Sequence, residues 1–111
     1  MSIAKTSAAS ETVTFSGSSN DVVSLWIFQV IPSAWTGSLT VQARLQRTAY
    51  AFQPIPYKRR YLNAVVADDT LVSTAITDAS LIEVNAAGLD IAFAHTRTAG
   101  QVTIAGVPLL G

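Results

Sequence analysis

The residue types that could do chemistry are few and scattered along the chain. The single histidine, His95, shares a strand parity with Phe93 and is followed by Thr96-Arg97-Thr98. As a general base it would need a nucleophile and a carboxylate carried to it by folding; otherwise it is a strand residue near a sheet end. Cysteine is absent, which removes thiolate ligands, cysteine nucleophiles and disulfides together, and one histidine makes no transition-metal set. Asp68, Asp69 and Asp78 could offer oxygens to calcium, but their spacing lacks the alternation and closing Glu of an EF-hand loop. Turn and cap duty is the expectation for them. Glu11, Asp21, Glu83 and Asp90 read as solvated strand or turn positions. Counting acids does not exclude a paired-carboxylate glycosidase, yet a chain this short has little with which to build a cleft around them. Ala99-Gly100 and Ala105-Gly106 are isolated turn glycines, not a phosphate cradle. The residues therefore predict no enzyme, no metal and no cofactor.

One concentrated charge feature stands out, Tyr57-Lys58-Arg59-Arg60-Tyr61, preceded by Phe52-Gln53-Pro54-Ile55-Pro56. Cations interleaved with aromatics can bind single-stranded nucleic acid. On a strand, however, Tyr57, Arg59 and Tyr61 share one face and Lys58 and Arg60 the other, so the cluster splits across the sheet. An exposed edge strand or long connection that meets acidic groups on a protein neighbour is the expectation, because two prolines cannot donate to a ladder. Trp35, in the apparent turn Pro32-Ser33-Ala34-Trp35-Thr36-Gly37, is either a cap over the sandwich end or an exposed anchor for a partner. Trp26 and Phe28 read as core or interface.

These residues are carried by an unusually apolar chain. Of 111 residues, 50% are hydrophobic and 13% charged, and seven cations balance seven anions. The longest apolar run, Val22 to Ile31, falls well short of the roughly 20 residues of a membrane helix. With no long-range field to attract nucleic acid or anionic lipid, the excess apolar surface points to burial against neighbouring subunits. Met1 to Ser7 lacks the apolar stretch of a signal peptide, so use without secretion is the expectation.

The elements that must position all this read as strands. Ser38 to Arg47 alternates, with Leu39, Val41, Ala43 and Leu45 on one face and Thr40, Gln42, Arg44 and Gln46 on the other. Glu11 to Phe15 is a strand ended by Ser16-Gly17-Ser18-Ser19-Asn20. Val22 to Ile31, ended by Pro32-Ser33, is apolar on both parities, as in a strand covered on both faces or lying with one face against a partner. Leu89 to Phe93 and Gln101 to Ala105 look like a hairpin turning at Ala99-Gly100, and Ser80 to Asn85 joins them through Ala86-Ala87-Gly88, so a meander closes the chain. In Asp68 to Asp78 the Val, Thr and Ile content and the lack of an i, i+4 stripe favour strand or turn, with a short helical turn as the alternative. The expected fold is all-β: a single antiparallel β-sandwich or jelly-roll-like barrel over residues 11–111, with residues 1–10 as an N-terminal arm.

Leu25-Trp26-Ile27-Phe28-Gln29-Val30, leading through Trp35-Thr36-Gly37-Ser38 into Leu39-Thr40-Val41-Gln42-Ala43, resembles small β-sandwich structural proteins of tailed bacteriophages. So does the ending, from Ala87-Gly88-Leu89-Asp90-Ile91 through Ala99-Gly100-Gln101-Val102-Thr103-Ile104 to Pro108-Leu109-Leu110-Gly111. The style is that of head decoration, or cement, proteins. The resemblance implies a non-enzymatic virion protein on the capsid surface, assembled in the host cytoplasm. It would seat on junctions between major capsid subunits, as a homo-oligomer and typically a trimer, without nucleic acid or membrane. Such a family has no catalytic motif to transfer. The partner-binding residues expected here are Trp35, the segment Tyr57, Lys58, Arg59, Arg60 and Tyr61, and an arm including Ser2, Ile3 and Lys5 that orders on a neighbour. Another tail, neck or fibre-associated module, or a small carbohydrate-binding module with Trp35 in an aromatic platform, are the alternative readings.

Overall fold

A computed structural model describes residues 2–16, 23–46, 48–62, 65–66 and 71–110. Among these there is no helix, and hence none long and apolar enough to cross a membrane. Nine antiparallel strands run β1 (Ile3–Ser7), β2 (Glu11–Phe15), β3 (Val23–Leu45), β4 (Gln53–Pro54), β5 (Tyr57–Leu62), β6 (Val65–Val66), β7 (Leu71–Val72), β8 (Ser80–Asn85) and β9 (Leu89–Leu110). Two of them dominate. β3 and β9, of 23 and 22 residues, pair with each other from Val23 opposite Leu110 to Leu45 opposite Leu89.

Both long strands bend at the same level. The β3–β9 register shifts between Ser33 and Thr36 and again between Thr36 and Gly37. Ala34 (φ 50°) and Gly100 (φ 70°) take left-handed backbone there, on facing strands. Extra residues in a ladder bend the strand and strengthen its twist, so the ribbon folds over on itself. The flanking strands follow. β1 lies along the second half of β9, with Ser7 opposite Val102, while β2 lies along the first half, with Glu11 opposite His95. β8 pairs with Leu25 to Val30 and is followed outward by β5; β4 pairs with Gln42 and Ala43, and Ile76 bridges to Leu39. One layer is thus β1, β9, β3, β8 and β5; the other is β2, β9, β3 and β4, each long strand serving both.

The two layers close over an aromatic cluster. Trp26 stacks on Phe28 (centroids 5.2 Å, 6° between planes), and both belong to the first layer. Phe15 and Phe93 of the second layer meet Phe28 edge-on at 4.9 and 4.8 Å. All four rings are buried, and each such ring contributes about 1.5–3 kcal/mol by leaving water, with about 0.5–1.5 kcal/mol more per well-placed pair. Val13, Leu39, Val41, Ile82, Val84, Ile91, Val102 and Ile104 complete the core. The inward parity of residues 39–43 is as the alternation predicts, although Leu45, at the strand end, is exposed.

Several expectations change. Ala99-Gly100 is no hairpin turn and Pro32-Ser33 no strand end; both lie inside continuous strands at the bend. The β8 ladder stops at Val30, so Pro32 breaks no hydrogen bond on that side. The turn at Ala86-Ala87-Gly88 joins no meander, since β8 and β9 lie on opposite sides of β3; the Leu89 amide bonds the Ala86 carbonyl as the chain crosses between layers. Residues 3–7, expected within an arm, form strand β1 instead, and Ser7 is fully buried. Of the turn expected at Ser16 to Asn20, all but Ser16 lies outside the described residues, as does the acidic pair Asp68 and Asp69.

Candidate functional site

Four segments meet around His95 where the sheet bends. β1 ends at Ser7, β2 begins at Glu11, the irregular stretch of β3 carries Trp35, and His95 precedes the bend of β9. The Trp35 indole N–H donates to His95 Nε2 at 2.8 Å. An indole can only donate, so Nε2 carries the lone pair and the ring proton sits on Nδ1, an assignment made from the partners. That proton faces Ser7 Oγ at 2.8 Å. The Ser7 hydroxyl in turn lies 2.7 Å from Glu11 Oε2 and 3.1 Å from the Ala9 carbonyl. His95 is 3% exposed. Burial lowers its pKa from the ordinary 6.5, with Arg97 adding to the effect and the Ala9 backbone bond and Glu11 opposing it.

Folding therefore does bring a hydroxyl and a carboxylate to the histidine, from as far as 88 residues away. Their order is wrong for a catalytic triad. A nucleophilic serine must give its proton to an imidazole lone pair; here the imidazole donates to Ser7, and its other nitrogen is occupied by Trp35. The arrangement clasps four strands, β1, β2, β3 and β9, at the corner. No local sequence signal could have found it, because Ser7 and Glu11 look like ordinary β residues. An open groove of about 640 Å³, lined in part by Leu25, Lys58, Leu71 and Glu83, lies away from it.

The residues singled out from the sequence are dispersed. Trp35 is half-buried against the core and donates its N–H to His95. Tyr57 is a core residue, and its hydroxyl donates to the Thr74 carbonyl at 2.7 Å, so it is withdrawn from the surface. Lys58 lies directly opposite Glu83, and Arg59 opposite Ile82. The register then shifts before Tyr61, so the strict two-face split expected over residues 57–61 ends at Arg59. Arg60 and Tyr61 continue the β5 backbone. Ser2 is exposed ahead of β1; Ile3 packs against the core; and Lys5 donates to the Thr14 carbonyl, its ammonium 5.1 Å from the Phe15 centroid. These contacts tie β1 to β2.

The remaining candidate is a surface. On the second layer the outward residues include Thr12, Thr14, Thr40, Gln42 and Arg44, with Ala92 and Ala94 of β9 between them, and Arg44 is bonded to Asp90 at 3.5 Å and lies 4.3 Å from the Phe52 ring. On the first layer the outward residues of β3 and β9 are Leu25, Ile27, Gln29 and Ile31 beside Thr103, Ala105, Val107 and Leu109. Ile31, Val107 and Leu109 are 44%, 37% and 41% exposed. Among the described residues no strand or loop covers this face. It is the outward half of the segment whose sequence is apolar on both parities. No family profile, curated protein or solved structure matches this chain.

Proposed function

We propose that the protein is a non-enzymatic virion structural protein that binds the outer surface of a phage capsid and stabilises the shell by bridging major capsid subunits. The observation that carries this reading is the contrast between its two outer faces, one rich in Thr, Gln and Arg and the other, along β3 and β9, a row of Ile, Leu, Val and Ala interrupted by Gln29 and Thr103. Contiguous apolar surface on a small domain marks an interaction site. The closed Ser7–His95 clasp, which presents no nucleophile, supports a structural role, as does the resemblance of β3 and β9 to phage decoration proteins. Carbohydrate binding draws no support, because Trp35 and Tyr57 do not form an exposed platform. An array of identical capsid sites makes retention by an oligomer strong even where each contact is weak.

The test is co-sedimentation of the purified protein with intact phage heads over a range of input ratios. Saturation at a fixed ratio to the major capsid protein is the expected result. Protein that stays in the supernatant, or that travels with tails, overturns the reading.

A further inference from the structure

We infer that Arg59 of β5 anchors a carboxylate-binding recess, into which the assembly partner inserts one Asp or Glu side chain. The recess stands on its own geometry; that the carboxylate comes from the capsid rests on the functional reading above.

The first observation is an unspent guanidinium. Among the described residues the other arginines are committed, Arg44 to the Asp90 carboxylate and Arg97, through Nε, to the Gly100 carbonyl. Arg59 is half-buried, and among the described residues nothing hydrogen-bonds to it or pairs with its charge. Five N–H donors in a fixed fork thus have no protein acceptor, although part of the side chain is withdrawn from water. Nor does the strand turn it outward. Arg59 lies opposite Ile82 and two residues from Tyr57, both core residues, so it leaves β5 on the inner side, while Lys58 leaves on the outer side opposite Glu83.

The second observation is the space in front of it. The stretch from Thr74 to Ser80 crosses between the layers, held to the second by the Leu39–Ile76 bridge and to β5 by the Tyr57 hydroxyl, which donates to the Thr74 carbonyl at 2.7 Å. Against β5 this crossing leaves a recess of about 100 Å³ lined by Tyr57, Arg59, Ala75, Ile76, Thr77 and Ser80. Ala75 and Thr77 are exposed and Ser80 is buried, so the recess opens to solvent beside the first two. It has room for a few water-sized atoms, which admits a carboxylate or a small oxyanion but no sugar ring or base. Thr77 and Ser80 add hydroxyl donors. The Ser80 hydroxyl now donates to the Asp78 carbonyl at 3.3 Å, a long bond that a charged acceptor improves on.

Charge chooses between the oxyanions. One guanidinium balances one carboxylate and matches it with two parallel hydrogen bonds. A phosphate brings more charge than one cation balances, and Asp78, exposed on the same stretch, repels the excess. Asp78 itself does not fill the site, since its Oδ1 accepts from the Ala79 amide at 2.7 Å and it forms no ion pair with Arg59. A free carboxylate is held by the fork alone, whereas one presented on a partner surface is retained by the surrounding contacts as well.

Nuclear magnetic resonance of the 15N-labelled full chain tests the recess with sodium acetate near pH 7, against sodium chloride at equal ionic strength. Saturable shifts of the Arg59 Nε–H and of the Thr77 and Ser80 amides are expected, with a Kd on the order of 10 mM, the scale of one bidentate charged pair in water. Arg59→Lys keeps the charge and loses the fork, so acetate should bind about 10-fold more weakly. Arg59→Gln should show no saturation, with circular dichroism confirming that both variants are folded. Phosphate that saturates the same signals at lower concentration than acetate overturns the choice of carboxylate. Shifts that only drift with salt, as for chloride, overturn the recess and leave Arg59 as a charge that keeps the sheet edge from pairing. Head binding is scored separately. Arg59→Gln should need about 10-fold more protein to half-saturate phage heads, and unchanged retention overturns the capsid as the source of the carboxylate. A wild type that takes up acetate and binds no heads overturns the functional reading, and with it the partner, and leaves the recess standing.

Discussion

His95 and Trp35 share one hydrogen bond, and its direction fixes how the corner responds to acid. Burial holds the folded-state pKa of His95 below 6.5, so as pH falls the unfolded chain takes up its proton first. Stability is then independent of this group above about pH 7, begins to fall as pH drops through 6.5, and continues to fall until the folded-state pKa is passed. The structural reason is that a proton on Nε2 would point at the indole N–H. Urea unfolding of the wild type should therefore show a lower midpoint at pH 5.5 than at pH 7.5. Trp35→Phe should lose about 1–3 kcal/mol at pH 7.5, because it leaves a buried acceptor without its donor. It should lose less at pH 5.5, where protonation is no longer opposed. Equal wild-type midpoints at the two pH values would mean that the clasp does not resist protonation. The clasp was not legible in the sequence, which offered His95 either a general-base role awaiting partners or a strand position near a sheet end. The histidine's partners come from β1, β2 and β3 and are assembled by the bend, whereas for Trp35 the sequence left cap and anchor open, and folding gives it a half-buried place with its N–H on His95.

At the scale of elements, the bend depends on backbone that only glycine accepts cheaply. Gly100 has φ 70°, and a Cβ built on it would stand 2.0 Å from the Ala34 carbonyl oxygen of the facing strand. Gly88 has nearly the same φ, 74°, but a Cβ there meets nothing within 4 Å. Gly88→Ala should therefore cost about 1–2 kcal/mol, the penalty of left-handed backbone alone. Gly100→Ala should cost well beyond that, because main chain must move in both long strands. Midpoints from urea titration compare the two directly, and equal losses would show that the facing strands yield at the bend. The same residues explain what the sequence could and could not say about the fold. Strand periodicity at Glu11 to Phe15, Ser38 to Leu45 and Ser80 to Asn85 was plain. The continuity of β3 and β9 was hidden, because Pro32-Ser33 and Ala99-Gly100 are the residue types that reverse a chain as well as those that bend it. A turn and a bulge differ in which strands pair afterwards, and pairing is not local. Residues 3–7 were misread for a related reason: their short Ser- and Thr-containing stretch has little apolar content, and they gain their place from the open side of β9.

At the scale of the molecule, the 50% hydrophobic content is divided unevenly between two outer faces, and a matched pair of substitutions can separate location from charge. Ile31→Lys and Thr12→Lys each add one positive charge to a chain whose formal charge is zero. Both residues are exposed strand positions, Ile31 on the apolar face and Thr12 on the polar one. Net charge, and with it general colloidal repulsion, changes by the same amount in both. If association is driven by apolar surface wherever it lies, both variants should precipitate at the same raised ammonium sulfate concentration. If the first-layer face is the association surface, Ile31→Lys alone should require substantially more salt, since only there does the ammonium interrupt contiguous apolar area. The second outcome is expected, with unfolding midpoints of both variants near wild type because neither side chain enters the core. The first would assign the excess apolar content to the molecule as a whole and remove the privilege of one face.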